Sequence, residues 1–225
     1  MNKSYAGLVI FGLMGLLMVA PAFAGGCGQP EIFEKTYGEW SAKWWQWLEA
    51  QNFTPLTAQG EVDCSQGQTG PVWFLAGTDD SDPVERECTV PKGTLLFFPL
   101  VNAEFNNVPD ETTCEGGPCT EDEKRVILDG LMSDNPPGLF NSRACNLECT
   151  VDGIPTLFSG FAAARTQSPP FLFLDDHETV SDGFWVMLSL PEGQHTLHFK
   201  GALCDLDTGS PLFEVDVTYN LKVSR

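Results

Sequence analysis

The sequence predicts a mainly β protein. The expected form is an antiparallel β-sandwich, immunoglobulin-like or jelly-roll, with an N-terminal Trp-rich helix and a Cys-rich helical excursion. Three observations carry this expectation. Phe213, Val215, Val217, Tyr219, Leu221 and Val223 alternate with Glu214, Asp216, Thr218, Asn220 and Lys222, which is the period of a half-buried strand. Shorter apolar runs are separated by Gly/Pro turns, as in two-sheet β proteins. One segment instead repeats tryptophan at helical spacing.

The chain opens with a secretory signal pattern over residues 1–24. Lys3 supplies a positive start, Ala6 to Val19 is an uncharged apolar run, and Ala22-Phe23-Ala24 is an A-x-A cleavage site. Pro21 ends the run before the length that a membrane span needs. Cys27, after Gly25-Gly26, offers lipidation as an alternative, against which the even number of cysteines counts. Residues 25–225 then form one β-sandwich domain with an insertion around 103–150.

In the domain, Glu39 to Gln51 is expected to be helical. Thr36 and Glu39 form a capping box, and Trp40, Trp44 and Trp47 fall on one face, widened by Trp45 and Leu48. That face is expected to pack on the sheet as core; the alternative is a ligand-binding platform of Trp40, Trp44 and Trp47, since indole suits sugar and lipid as well. Pro71 to Gly77 and Thr94 to Val101 read as strands. The stretch 103–150 is polar and acidic with four cysteines, and a second capping box at Thr120 and Glu123 starts a helix ending near Met132, before Pro136-Pro137-Gly138. Phe184 to Leu190, His195 to Gly201 and Phe213 to Val223 are the closing strands.

Residues after 24 carry 11 basic and 31 acidic groups, a net charge of −20. This excludes a nucleic-acid binder, which needs clustered Lys and Arg, and docking on anionic lipid. The apolar share of 42% excludes a disordered acidic chain. No run after the leader is long enough for a transmembrane segment.

Eight cysteines without a C-x-x-C pair point to disulfides in an oxidising compartment. Cys64 and Cys88 flank one strand and are the expected bridge. Cys114 and Cys119 are placed to close a small loop. Cys145 and Cys149, four residues apart on an extended strand, would stand about 13 Å apart, too far to bridge. Unless that stretch is bent, each pairs elsewhere, with the 114/119 loop as one option, and Cys27 with Cys204 would be what remains.

The strings YGEWSAKWWQW, GPVWFLAGT and CTVPKGTLLFFPLVN, spanning about 36–107, resemble those of a group of uncharacterised exported bacterial proteins. DGFWVMLSLPEGQHTLHFKG with DVTYNLKV is similar to the closing strands of immunoglobulin-like or jelly-roll sandwiches. The resemblance implies export and a bacterial source, and carries over no reaction.

Candidate chemistry lies in the acidic loops. Asp79, Asp80 and Asp82 form the first candidate Ca²⁺ site, Asp175 and Asp176 a weaker second, because Ca²⁺ takes six to eight oxygen ligands. Asp207-Thr208-Gly209-Ser210 matches half of an aspartic-protease pair and reads as a turn. His195 and His198 face opposite ways on a strand, which disfavours shared metal ligation. The expected function is a non-catalytic binding or envelope protein of the periplasm or medium, with a glycan or Ca²⁺ as ligand. The alternative is an extracellular hydrolase using an acidic carboxylate site.

Overall fold

Residues 32–79, 81–107, 114, 117–133, 141–156 and 163–225 are described by the structure, a computed structural model. The expected leader 1–24, Cys27, Asp80 and the expected Pro-Gly stop at 136–138 lie outside them. In chain order the elements are α1 (Tyr37–Ala50), α2 (Thr54–Thr57), β1 (Gly60–Glu61), β2 (Val72–Phe74), β3 (Val84–Pro91), β4 (Leu95–Phe105), α3 (Glu121–Met132), β5 (Ser142–Val151), β6 (Ile154–Pro155), β7 (Ala164–Gln167), β8 (Phe171–Phe173), β9 (His177–Leu188), β10 (Gly193–Asp205) and β11 (Pro211–Ser224). No helix among the described residues is long and apolar enough to cross a membrane.

The fold is mainly β, in two sheets. One has the order β1-β3-β11-β10-β5-β6; the other runs β2-β4-β9-β7, with β8 paired to β9. The β10–β11 hairpin turns on the D-T-G-S segment. There Asp205 Oδ1 accepts the N–H groups of Asp207 and Thr208 and the Thr208 hydroxyl, and Gly209 takes φ 71°. This segment is therefore a turn, which is what Asp and Gly favour.

The sheets are mixed rather than antiparallel throughout. β1 with β3, β3 with β11 and β2 with β4 run parallel. β2 and β4 share a sheet while β3, between them in sequence, lies in the other, so the chain returns in its original direction, as a parallel neighbour requires. Apolar alternation reports which face is buried and carries no information on strand direction, so the antiparallel expectation is corrected here.

The facing sides of the sheets meet on one core. Phe98 of β4 stacks on Phe199 of β10 with centroids 4.6 Å apart, among Leu96, Val186, Leu197, Val217 and Leu221. The contact is close enough that a Cβ on Gly201 would stand 2.5 Å from the Leu100 carbonyl oxygen. On the opposite side of the second sheet, α1 lays Trp44 against Trp185, which stacks on Phe97 at 4.9 Å. α3 touches β4 and β9 of one sheet and β5 of the other.

Two boundaries of the excursion move. β4 extends through Phe105 and β5 begins at Ser142, so 103–105 and 142–150 belong to strands. Three disulfides are present: Cys64–Cys88 as expected, Cys114–Cys119, and Cys145–Cys204. Cys204 thus bonds Cys145 rather than Cys27, because β5 and β10 are neighbours and the two Cα atoms stand 6.0 Å apart. Cys149 is a buried free thiol.

Candidate functional site

The six tryptophans divide sharply by what their N–H groups do. Trp40 donates to the Ile32 carbonyl at 3.0 Å, Trp44 to Leu75 at 2.9 Å and Trp47 to Gln66 at 3.1 Å. Trp40 and Trp44 are core residues and Trp47 packs half-buried at their edge. Two of the three rings named as a platform, Trp40 and Trp44, therefore pack inside the molecule. Trp45 and Trp185 hold buried N–H groups without a partner. Trp73 alone is half-buried with an N–H that is neither bonded among the described residues nor sealed from solvent.

Trp73 lines an open groove of about 910 Å³ that runs round the edge of β3. On the inner side lie Trp73, the Cys64–Cys88 bridge and Val90. On the outer side lie Glu87 and Thr89 of β3, Asn220 and Lys222 of β11, and Gln194 of β10. These share a face because they are register partners: Glu87 with Asn220, Thr89 with Lys222, and Lys222 with Gln194. The groove exists because β1 covers β3 only as far as Glu87. Beyond that point the chain folds back through Cys64 and leaves the edge at Thr89 open.

Local hydrogen bonds hold the walls. The Gln68 amide closes the free edge of β2, donating to the Phe74 carbonyl at 2.8 Å and accepting the Phe74 N–H at 2.9 Å. Asp63 accepts the Ser65 hydroxyl and N–H, which hold its carboxyl below the usual carboxylate range. Behind the groove, Arg86 is buried and donates to the carbonyls of Leu56, Ala58, Ala76 and Gly77 and to the Tyr219 hydroxyl. Burial pushes the Tyr219 hydroxyl upward against the opposing pull of Arg86.

The other sequence candidates lie elsewhere. Asp79 and Asp82 are exposed in the loop between β2 and β3, and Asp80 is outside the described residues. Asp175 and Asp176 are exposed in the β8–β9 turn, both at positive φ. No group of three or more His, Cys, Asp or Glu side chains converges at metal-holding distance among the described residues. Asp182 is buried and takes two hydrogen bonds from Arg165, at 3.2 and 2.7 Å, while Arg165 also reaches Asp129. Desolvation opposes the Arg165 charge and those carboxylates outweigh it. With Gln167, this network ties α3 to β7 and β9. His195 pairs with Asp152 and His198 with Asp216, so the two are held apart.

Sequence reasoning misses Trp73, Thr89 and Gln194 as a group. The period-2 pattern of β11 does place Asn220 and Lys222 on its polar face. Nothing in the uniformly apolar run around Trp73 signals that β2 would be a sheet edge. No protein-family model, curated protein or solved structure matches the chain.

Proposed function

We propose that the protein is an exported, disulfide-stabilised binding protein and that its β3-edge groove takes a glycan. The observation that carries this is Trp73, the one tryptophan with ring and N–H open to a groove lined by amides, a hydroxyl and carboxylates. An aromatic ring offers an apolar face to a sugar's C–H surface and a donor to its oxygens. Gln194, Asn220, Thr89 and Glu87 are the complementary hydrogen-bonding groups. Three disulfides are compatible with an oxidising compartment. The likeness of residues 36–107 to exported bacterial proteins points to the periplasm or medium. Two sheets on a shared core support a sandwich reading, with the parallel pairs as departures from the immunoglobulin and jelly-roll patterns.

The test is a glycan array probed with the oxidised protein and with Trp73→Ala. Binding lost in that variant, at unchanged melting temperature, supports the reading. An array with no ligand for the wild type refutes it.

One observation favours a hydrolase as second reading. Glu61 and Glu87 are register partners in the groove, on strands about 4.8 Å apart, and retaining glycosidases hold two carboxyls about 5–5.5 Å apart. Release of reducing ends by the wild type, absent in Glu87→Gln, would establish it.

A further inference from the structure

The charges of the groove go further than the reading of a glycan site, on which the following rests. Eleven Lys and Arg residues follow the leader, in a large excess of carboxylates. Most find a partner. Lys200 shows the rule on this same sheet face, with Glu214 at 2.8 Å and Asp216 at 3.3 Å. Lys43 sits one helical turn from Glu39, whose carboxyl is lowered first by the Thr36 hydrogen bonds and least by this cation. Lys43, Lys222 and Arg225 have side chains without hydrogen bond, ion pair or ring contact among the described residues, and of these Lys222 and Arg225 line the groove. For Lys222 the cause is in the register: its neighbours on either side are Thr89 and Gln194, both uncharged.

The groove holds three carboxylates beside these cations, Glu61, Asp63 and Glu87, and that of Asp63 is taken up by Ser65. Glu61 and Glu87 stand together at one level of β3. Lys222 lies two residues further along and Arg225 beyond it, a separation of roughly 7 Å for each two-residue step. The groove thus offers carboxylates that accept hydrogen bonds from neutral hydroxyls and two cations that make no ion pair among the described residues. A neutral sugar would leave those cations without a partner.

We infer that the groove binds an acidic saccharide chain, with a carboxylate or sulfate substituent on Lys222 and Arg225 and a sugar ring against Trp73. The ligand class is defined by the spacing of an anionic group from a hydroxyl-rich ring along one chain. The long-range field of an acidic protein opposes such a ligand, so affinity depends on the local cations.

The experiment is calorimetric titration of the oxidised protein with three oligosaccharides of equal length. These are an oligogalacturonate, a sulfated oligoglucan and a neutral cello-oligosaccharide. Variants are Lys222→Gln, Lys222→Arg, Trp73→Ala and, as a cation outside the groove, Lys43→Gln. At least one acidic oligomer is expected to bind about tenfold more tightly than the neutral one, the worth of one charge-assisted hydrogen bond. The stronger of the two acidic ligands identifies the substituent. Lys222→Gln is expected to erase the preference, Lys222→Arg to keep it and Lys43→Gln to leave it unchanged. Equal affinity for neutral and acidic oligomers, or a preference untouched by Lys222→Gln, would overturn the inference while the glycan reading stands. If the wild type binds none of the three, this inference falls, and the glycan reading falls with it only where the array also yields no ligand.

Discussion

Arg86 is a buried cation without an ion-pair partner among the described residues. Its guanidinium is surrounded by four backbone carbonyls and the Tyr219 hydroxyl, whose dipoles replace the water it lost. It pins the segments around 56–58 and 76–77 to β3. Arg86→Met leaves those oxygens buried and unpaired. Removing one side of such a buried polar network costs about 3–5 kcal/mol, and urea unfolding is expected to show it. Arg86→Lys should lose nearly as much, since three donors on a point charge cannot reproduce a planar fork. A loss below about 1 kcal/mol in both variants, the ordinary surface value, would refute the clamp. The same residue explains why β3 is illegible in the sequence: V-E-R-E-C-T-V-P places an arginine at an inward position, where the pattern calls for an apolar side chain.

Among the elements, α1 and α3 are the most legible, because their signals are local. Each capping box appears as expected, with Glu39 bonded to the Thr36 N–H at 2.7 Å and Glu123 to that of Thr120 at 2.8 Å. The hydrogen bonds from these threonines hold both carboxyls below the usual range. A carboxyl depressed in the folded state stabilises fully above its unfolded pKa, and that contribution disappears as pH falls through the folded value. Glu39→Gln with Glu123→Gln is therefore expected to narrow its deficit in melting temperature as pH drops below about 4. A deficit that widens in acid would contradict the sign. The tryptophan face of α1 is a second test. Trp44 is fully enclosed and bonded to the Leu75 carbonyl, so Trp44→Ala should cost about 3–5 kcal/mol in chemical unfolding. Retained stability with altered ligand binding would instead restore the platform. Other elements escape the sequence for physical reasons. β5 carries a left-handed Asn146 and a register shift against β10, which breaks its alternation. β7 and β8 owe their existence to pairing with β9, a tertiary cause that no local window contains. The groove is illegible for the same reason: it forms where β1 stops short.

At the scale of the molecule, the net charge after residue 24 is −20, and among the described residues no three His, Cys, Asp or Glu side chains gather at metal-holding distance. Screening should then dominate its response to salt. Calcium, magnesium and sodium chlorides at matched ionic strength are expected to raise the melting temperature equally. A rise specific to calcium, lost in Asp79→Asn with Asp82→Asn, would reveal a site completed by Asp80. The parallel pair β3–β11 has a consequence in time. β11 occupies the middle of the six-stranded sheet, where Val217 stands beside Val84, so strands far apart in the chain must meet before that sheet closes. Such long-range closure is slow. A chain that emerges amino end first holds β3 with only the two-residue β1 beside it until Pro211–Ser224 arrives, and an unpaired strand invites association with other chains. The fourteen residues of β11 therefore act as a late keystone: until they insert, β3 keeps an open edge and the groove does not yet exist.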